Sequence, residues 1–240
     1  MATNNIINTN FPLTVPDGGT GITAFTNAYA TLLAGTTATG AIQDAGVGTS
    51  GLVLTSNGAA LPTYQTSPSL SGGDMIYIST ATASTSATIE IALTGYNFYV
   101  INISGLVPDT DAVAFRADIS LDSGSTWETG ASDYRFQTFI AINGVDSASQ
   151  SLGTSFIQLG STNRSNTSTD TAAGTLDILG AAASAYTSFH YKDGYINSAG
   201  TTQYTSTFNE YKATTTVDAI RFQMSSGNIS TGEFKLYGIT

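Results

Sequence analysis

The chain has 240 residues, of which 10% are charged, and it contains no cysteine, so disulfides and thiolate chemistry are excluded. Its net charge is −10, and its seven basic residues all lie at or beyond Arg116, a distribution that argues against a nucleic-acid partner because phosphate neutralisation needs basic groups. No apolar run approaches the roughly 20 residues of a membrane span, and the opening MATNNIINTN lacks the regions of a signal peptide, so we expect no membrane insertion.

A glycine-rich stretch, PDGGTGITAF, opens the readable part of the chain. A phosphate-binding loop of the Walker type needs a Lys that reaches the phosphates, and GGTGIT has none. The glycines Gly18, Gly19 and Gly21 therefore indicate a turn in which small residues let backbones come close. A short helix over Thr26–Leu33 is predicted to follow.

The composition changes near residue 70. Residues 1–72 contain two charged residues and few large apolar side chains. Within them Thr49–Leu54 and Ala60–Gln65 are predicted to be short extended pieces, which cannot build a core alone. We therefore expect this part to be stabilised by packing on copies of itself. The Pro, Ser and Gly of Gln65–Gly73 predict a linker over 67–74.

Residues 75–240 show the pattern of an all-β domain, with a series of short segments rich in Ile, Val and Tyr. The predicted strands are Met75–Ile78, Thr88–Leu93, Tyr96–Ile103, Ala112–Leu121, Tyr134–Ile142, Ser155–Leu159, Gly174–Leu179, Tyr186–Lys192, Tyr195–Asn197, Thr201–Lys212, Ala219–Ser225 and Glu233–Ile239. Asn143-Gly144 and Asp193-Gly194 are strong two-residue hairpin signals. Short strands without a sustained helical period predict an antiparallel β-sandwich or jelly roll.

The stretch SLDSGSTWE matches the Asp-box pattern S-x-D-x-G-x-[ST]-W of sialidase propellers, but a propeller needs several copies and the chain has one. We therefore predict a hairpin with Trp127, the only tryptophan, at the core edge; a glycan-stacking Trp127 is the alternative. Asp118, Asp122 and Glu128 could supply a glycosidase pair, but solvation of the hairpin explains Asp118 and Asp122 well. Asp109 and Asp111 could contribute to a calcium site, although a loop turn accounts for them more simply, so no metal or cofactor is expected.

The sole histidine lies in AYTSFHYKDGYI, a predicted hairpin arm dense in aromatic residues. One interpretation is ordinary strand packing, which we favour. The other is a sugar-stacking surface. Its candidate contacts are Tyr186, Phe189, His190, Tyr191 and Tyr195.

The motifs VPDGGTGITAF, LLAGTTATGAIQ and GTSGLVLTSNGAALPTYQ, which span Val15–Gln65, together resemble a module common in bacteriophage tail-fibre proteins. The closing AIRFQMSSGNISTGEFKLYGI is similar to the last strands of the C-terminal sandwich domains in such proteins. The resemblance implies that 1–16 is a virion-attachment segment and 17–66 an oligomeric, trimeric stalk module. The candidate oligomerisation residues are Gly18, Gly19, Gly21, Phe25, Leu32 and Leu33.

The function expected from these observations is that of a non-enzymatic virion fibre protein, made in the host cytoplasm and exposed on the particle. Its N-terminal segment would dock on other virion proteins, and its head would bind a host-surface polysaccharide. Several weak sites per particle would supply avidity. Two alternatives stay open: a capsid head fibre or decoration protein without a receptor role, and a polysaccharide depolymerase.

Overall fold

The structure, a computed structural model, describes residues 32–33, 43–44, 48–57, 60–66, 74–182 and 185–240. The chain divides into two compact units, Met1–Leu70 and Ser71–Thr240, and each is described by itself. Among the described residues there is no helix of the length and hydropathy needed to cross a membrane.

The described part of the N-terminal unit contains two small antiparallel sheets. Strand β1 (Leu32–Leu33) pairs with β2 (Gln43–Asp44), and β3 (Leu52–Asn57) pairs with β4 (Ala60–Thr66). The two predicted extended pieces are therefore confirmed and form one hairpin. The helix predicted over Thr26–Leu33 is wrong at its end, because Leu32 and Leu33 are in a strand. Its remaining residues lie outside the described part of the chain, and so do Gly18, Gly19, Gly21 and Phe25.

The C-terminal unit consists of antiparallel strands in two sheets. The strands are β5 (Met75–Ser86), β6 (Thr88–Ala92), β7 (Phe98–Pro108), β8 (Val113–Ser120), β9 (Tyr134–Ile142), β10 (Val145–Thr154), β11 (Ile157–Arg164), β12 (Ala172–Leu179), β13 (Ser188–Ile196), β14 (Thr202–Tyr211), β15 (Ala219–Met224) and β16 (Ile229–Ile239). The large sheet has the order β10-β9-β14-β13-β12-β7-β16-β5, and the small sheet has the order β11-β8-β15-β6.

This topology is that of a jelly roll with two additions. The four strands β5-β16-β7-β12 face the four strands β6-β15-β8-β11. The chain alternates between these two sets from β5 to β8 and again in the series β11, β12, β15 and β16. The hairpin β9-β10 and the pair β13-β14 are inserted into this plan and widen only the large sheet. The predicted all-β sandwich is confirmed, and the inserted strands β9, β10, β13 and β14 are its distinguishing feature.

The core lies between the two sheets and is aromatic at its centre. Phe115 of β8 stacks on Phe222 of β15 at 5.7 Å between ring centroids, and Phe234 of β16 lies 5.0 Å from Phe222. All three side chains are fully buried, and ring pairs at such distances add to the stabilisation from buried area. The two predicted closing strands are confirmed. The final strand β16 lies between β7 and β5, inside the large sheet.

One predicted turn is confirmed and the other is wrong. Asn143 and Gly144 connect β9 to β10 with φ values of 51° and 75°, the positive angles that a type I′ hairpin turn requires. Asp193 and Gly194, in contrast, lie within β13, paired with Gly174 and Ala173 on one side and with β14 on the other. Asp193 stays within the strand because its side chain is buried and pairs with Arg164 of β11 in the other sheet.

The Asp-box loop is stabilised by hydrogen bonds from its own side chains to its backbone but does not close a hairpin. Ser120 Oγ accepts the amides of Asp122 and Gly124 at 3.1 and 2.8 Å, and Asp122 Oδ1 accepts the amide of Thr126 at 2.8 Å. The loop leads from β8 in the small sheet to β9 in the large sheet. The predicted hairpin is therefore wrong, and the loop is a crossover between sheets with Trp127 half-buried beside it.

Candidate functional site

The aromatic strand β13 divides its side chains between the two faces of the large sheet. Phe189, Tyr191 and Tyr195 point into the sandwich and are almost completely buried. Their predicted contact with a glycan is therefore corrected: they are core residues, and strand packing, the interpretation favoured above, explains them. His190 lies on the outer face of the sheet, and Tyr186, 47% exposed, precedes the strand.

The neighbouring inserted strands place three large aromatic side chains on that same outer face. Phe139 on β9 and Tyr204 and Phe208 on β14 are 44%, 46% and 48% exposed. Together with His190 they form a surface that we call the aromatic platform. Both strands are predicted from the sequence, but these three residues are not among the predicted glycan contacts. A signal was available, because β14 alternates aromatic side chains with Gln, Thr and Asn.

Strand register fixes the arrangement of the platform. Ser206 lies at its centre, directly opposite Phe139 on one neighbouring strand and Lys192 on the other. Phe208 lies opposite His190, and His190 Nε2 is 3.1 Å from Ser206 Oγ. Directly opposite residues have Cβ atoms about 5 Å apart. One continuous surface is therefore formed by the platform's aromatic rings, the Ser206 hydroxyl and the His190 imidazole.

A groove adjoins the platform near the edge of the sheet. It has a volume of about 150 Å³, and its lining includes Phe208, Gln137, Arg135, Gln150 and Leu152. The groove therefore continues the platform from Phe208 towards the edge strand β10, and it adds amide and guanidinium groups to the apolar rings.

The inner face of β14 explains why its aromatic residues point outward. Gln203, Thr205, Thr207 and Asn209 are fully buried on that face. Asn209 Oδ1 accepts the amide of Gln158 on β11 at 2.8 Å, and Thr205 donates to the carboxylate of Asp193. Because buried polar groups need such partners, the polar half of the alternation faces inward and the aromatic half is left at the surface.

The charges on the outer face are mostly paired. Arg135 lies 2.5 Å from Glu210 and Lys235 lies 2.8 Å from Glu233. The pKa of His190 is lowered, first by its partial burial and then by the positive charge of Lys192, while Asp177 acts in the opposite direction. Since its pKa lies below the usual value near 6.5, the imidazole is neutral at pH 7.

A second concavity lies between the two sheets at their open end. Its volume is about 190 Å³, and it is lined by Phe136, Thr138, Ile140 and Ser149 of the β9-β10 hairpin and by four residues of β11. Its lining contains no charged side chain.

Trp127 lies apart from the platform, with the small sheet. The guanidinium carbon of Arg221 is 4.6 Å from the centre of its ring. Arg221 in turn donates to Asp118 at 2.8 Å, and Gln223 donates to the same carboxylate oxygen at 2.7 Å. Arg221 is on the outward face of β15, between the buried Ile220 and Phe222. Trp127 and the aromatic platform are therefore on opposite faces of the sandwich.

Asp118 and Asp122, which were considered for a catalytic pair, both bind other groups of the protein. Asp118 is 1% exposed, and its pKa is raised by burial, against the opposing effect of Arg221. Asp122 is exposed, and its pKa is lowered chiefly by hydrogen bonds from Thr126. Asp118 thus connects β8 to β15 through Arg221, and Asp122 stabilises the loop that follows β8.

The Asp109–Asp111 turn is also occupied by protein partners. Asp109 Oδ1 accepts the amide of Asn228 at 2.7 Å, and Asp111 Oδ1 accepts the amide of Asn166 at 3.3 Å. In the described part of the chain there is no cluster of three or more His, Asp or Glu side chains suited to a metal ion. These bonds support the loop interpretation of the two residues.

Comparison with protein-family models, with curated proteins and with solved structures finds no match to this chain.

Proposed function

We propose that this protein is a non-enzymatic virion appendage whose jelly-roll unit binds a host-surface glycan through the aromatic platform. The N-terminal unit is proposed to associate into a trimeric stalk and to attach the appendage to other virion proteins. The observation that carries the binding role is the set of three half-exposed aromatic side chains on the inserted strands. The fibre-like motifs over Val15–Gln65 support the virion setting.

The chemistry of the platform suits a carbohydrate. A sugar ring presents apolar C–H faces that pack on aromatic rings, and it carries hydroxyl groups around its rim that need hydrogen-bond partners. Phe139, Tyr204 and Phe208 supply the apolar surface, while Ser206 and Gln137 supply polar groups between and beside them. A few placed polar groups among apolar ones is the usual composition of a ligand site.

The dimensions of the platform suit an extended chain better than a single ring. Tyr204 and Phe208 are four residues apart on one strand, which corresponds to about 13 Å at the rise of a β-strand. The platform then continues into the groove beside Phe208. An oligosaccharide segment could contact these features at once, and repeated copies of the site on a particle would raise avidity.

An array of bacterial surface polysaccharides tests the binding role. We expect the purified full-length protein to retain at least one polymer, and we expect Phe208→Ala to weaken that retention several-fold. The matched control is Tyr77→Ala, since Tyr77 is also exposed but lies on the edge strand β5. Retention of no polymer by the native protein, or equal loss in both variants, would overturn the proposal.

Imaging of the virus particle separates the proposed adhesin from a capsid decoration protein. Density for this protein on the tail, together with reduced adsorption of particles that lack it, is the expected result. Density on the head shell with unchanged adsorption would favour decoration instead. Release of reducing ends from a bound polysaccharide, lost in Asp118→Asn or Asp122→Asn, would identify a depolymerase.

A further inference from the structure

The described residues contain all seven basic side chains, and six of them have partners. Arg135, Arg164, Arg221 and Lys235 form ion pairs, Arg116 lies over the ring of Phe156, and Lys212 donates to the carbonyl of Leu152. Lys192 is exposed and, within the described part of the chain, has no ion pair, hydrogen bond or ring contact. Among the described residues it is therefore the one basic side chain left available to a ligand.

Lys192 is also next to the centre of the aromatic platform. It lies directly opposite Ser206, which in turn lies opposite Phe139. His190 precedes it by two residues and therefore lies on the same face of β13. The ammonium group can thus reach over a ligand that packs on Phe139, while the imidazole lies beside Ser206.

It is unusual that Lys192 has no acidic partner among the described residues in a protein with this charge. The chain carries a net charge of −10, and its acidic side chains could have neutralised a surface lysine. Nearby Glu210 is paired with Arg135, and Asp177 lies opposite His190 rather than opposite Lys192. An unpaired cation beside exposed rings is electrostatically complementary to a ligand with both an apolar face and a negative charge.

We propose that the aromatic platform recognises an acidic glycan, in which a sugar carboxylate pairs with Lys192 while the same or the adjoining ring packs on Phe139. This inference rests on the proposed glycan-binding function and names the ligand class of that site. A carboxylate is favoured over a phosphate or sulfate polymer, because dense multivalent anions are met by clusters of Arg and Lys. Here one lysine faces the platform.

His190 adds a pH dependence to this recognition. The groups that face it are Asp177 on β12, Lys192 on its own strand, and Ser206 and Phe208 on β14. Partial burial and Lys192 lower its pKa, and a carboxylate bound against Lys192 would raise that pKa again. Binding is therefore coupled to proton uptake by His190, and affinity increases as the pH falls while sugar carboxylates stay ionised.

The test compares a retained uronic-acid polysaccharide with the same polymer after its carboxyl groups are reduced to alcohols. We expect the native protein to bind the acidic form more tightly. Lys192→Gln should weaken binding of the acidic form about three- to five-fold at low salt and leave binding of the reduced form unchanged. Lys235→Gln is the matched control, because Lys235 lies on the same sheet but is paired with Glu233.

The possible results distinguish failure of the acidic-glycan inference from failure of the glycan-binding function. Equal binding of acidic and reduced polymers by the native protein, or no effect of Lys192→Gln, overturns the acidic-glycan inference while glycan binding stands. Preference for a phosphodiester-linked polymer overturns the choice of a carboxylate. Retention of no polysaccharide by the native protein overturns the glycan-binding function itself.

Discussion

Arg164 on β11 and Asp193 on β13 form an ion pair sealed inside the sandwich, with side chains 2% and 0% exposed. Tyr191 donates to the same carboxylate at 3.2 Å, and the guanidinium carbon of Arg164 lies 4.3 Å from the centre of the Tyr195 ring. The pair connects the small sheet to an inserted strand of the large sheet. It therefore fixes the strand that carries His190 and Lys192 on its other face.

Removal of one partner of this buried pair should be strongly destabilising. Asp193→Ala leaves the Arg164 guanidinium buried without a counter-charge, and such a change costs about 3–5 kcal/mol. The control is Glu210→Ala, which breaks the pair with the exposed Arg135 and should cost under about 1 kcal/mol. Urea unfolding followed by circular dichroism measures both. Equal costs would show that the buried pair contributes no more than a surface one.

The buried hydroxyl pair Thr138–Thr207, with 3.0 Å between its Oγ1 atoms, provides a second stability test. Thr207→Val leaves the Thr138 hydroxyl without its partner and should cost about 1–3 kcal/mol. The double change to valine removes both hydroxyls and should be close to neutral relative to the native protein. The free energies of unfolding of the four proteins give the coupling directly. Additive costs in the double variant would mean that the two hydroxyls do not depend on each other.

Asp118 should make the stability depend on pH. Burial raises its pKa in the folded state above the unfolded value near 3.9, so the folded protein holds this proton more tightly. Its contribution to the free energy of unfolding is therefore present below about pH 4 and lost as the pH rises through the folded pKa. The difference between the native protein and Asp118→Asn should decrease from pH 3 to pH 6. An increase over that range would mean that the pair with Arg221 outweighs burial.

If the N-terminal unit forms an oligomeric stalk, substitution of its glycines should affect self-association and leave the jelly-roll unit unchanged. Gly19→Val or Gly21→Val should impair self-association, because a larger side chain prevents close approach of chains. The thermal unfolding of the jelly-roll unit should be unchanged. Light scattering gives the mass of each variant, and circular dichroism gives the unfolding temperature. Native-like mass in both variants would contradict the assigned role of these residues.

Local patterns in the sequence predicted the class of the fold well. The segments rich in Ile, Val and Tyr identified most of the strands, and Asn143-Gly144 identified a hairpin, because both signals depend on residues close together in the chain. Asp193-Gly194 carries the same kind of local signal as Asn143-Gly144. It failed because the partner of Asp193 is Arg164, which lies 29 residues away, and a sequence pattern does not show such contacts.

Only part of the candidate site could be predicted, again because the deciding contacts join residues that are far apart in the sequence. The alternation of β14 is clear in the sequence, but its direction depends on what the strand packs against. A strand with Tyr204 and Phe208 on one face would ordinarily bury that face. Here the opposing strand β11 offers Gln158 and the neighbouring strand β13 offers the carboxylate of Asp193, so Thr and Asn side chains turn inward. Of the aromatic cluster predicted around β13, only His190 belongs to the resulting platform.

The most direct test of the account is calorimetric titration of a retained polysaccharide into three proteins. We expect Phe139→Ala/Phe208→Ala to bind at least about five-fold more weakly than the native protein, since each stacked ring contributes about 0.5–1.5 kcal/mol. Trp127→Ala, which alters the opposite face of the sandwich, should bind as the native protein does. Native affinity in the double variant, or loss of binding in Trp127→Ala, would contradict a glycan site on the inserted strands.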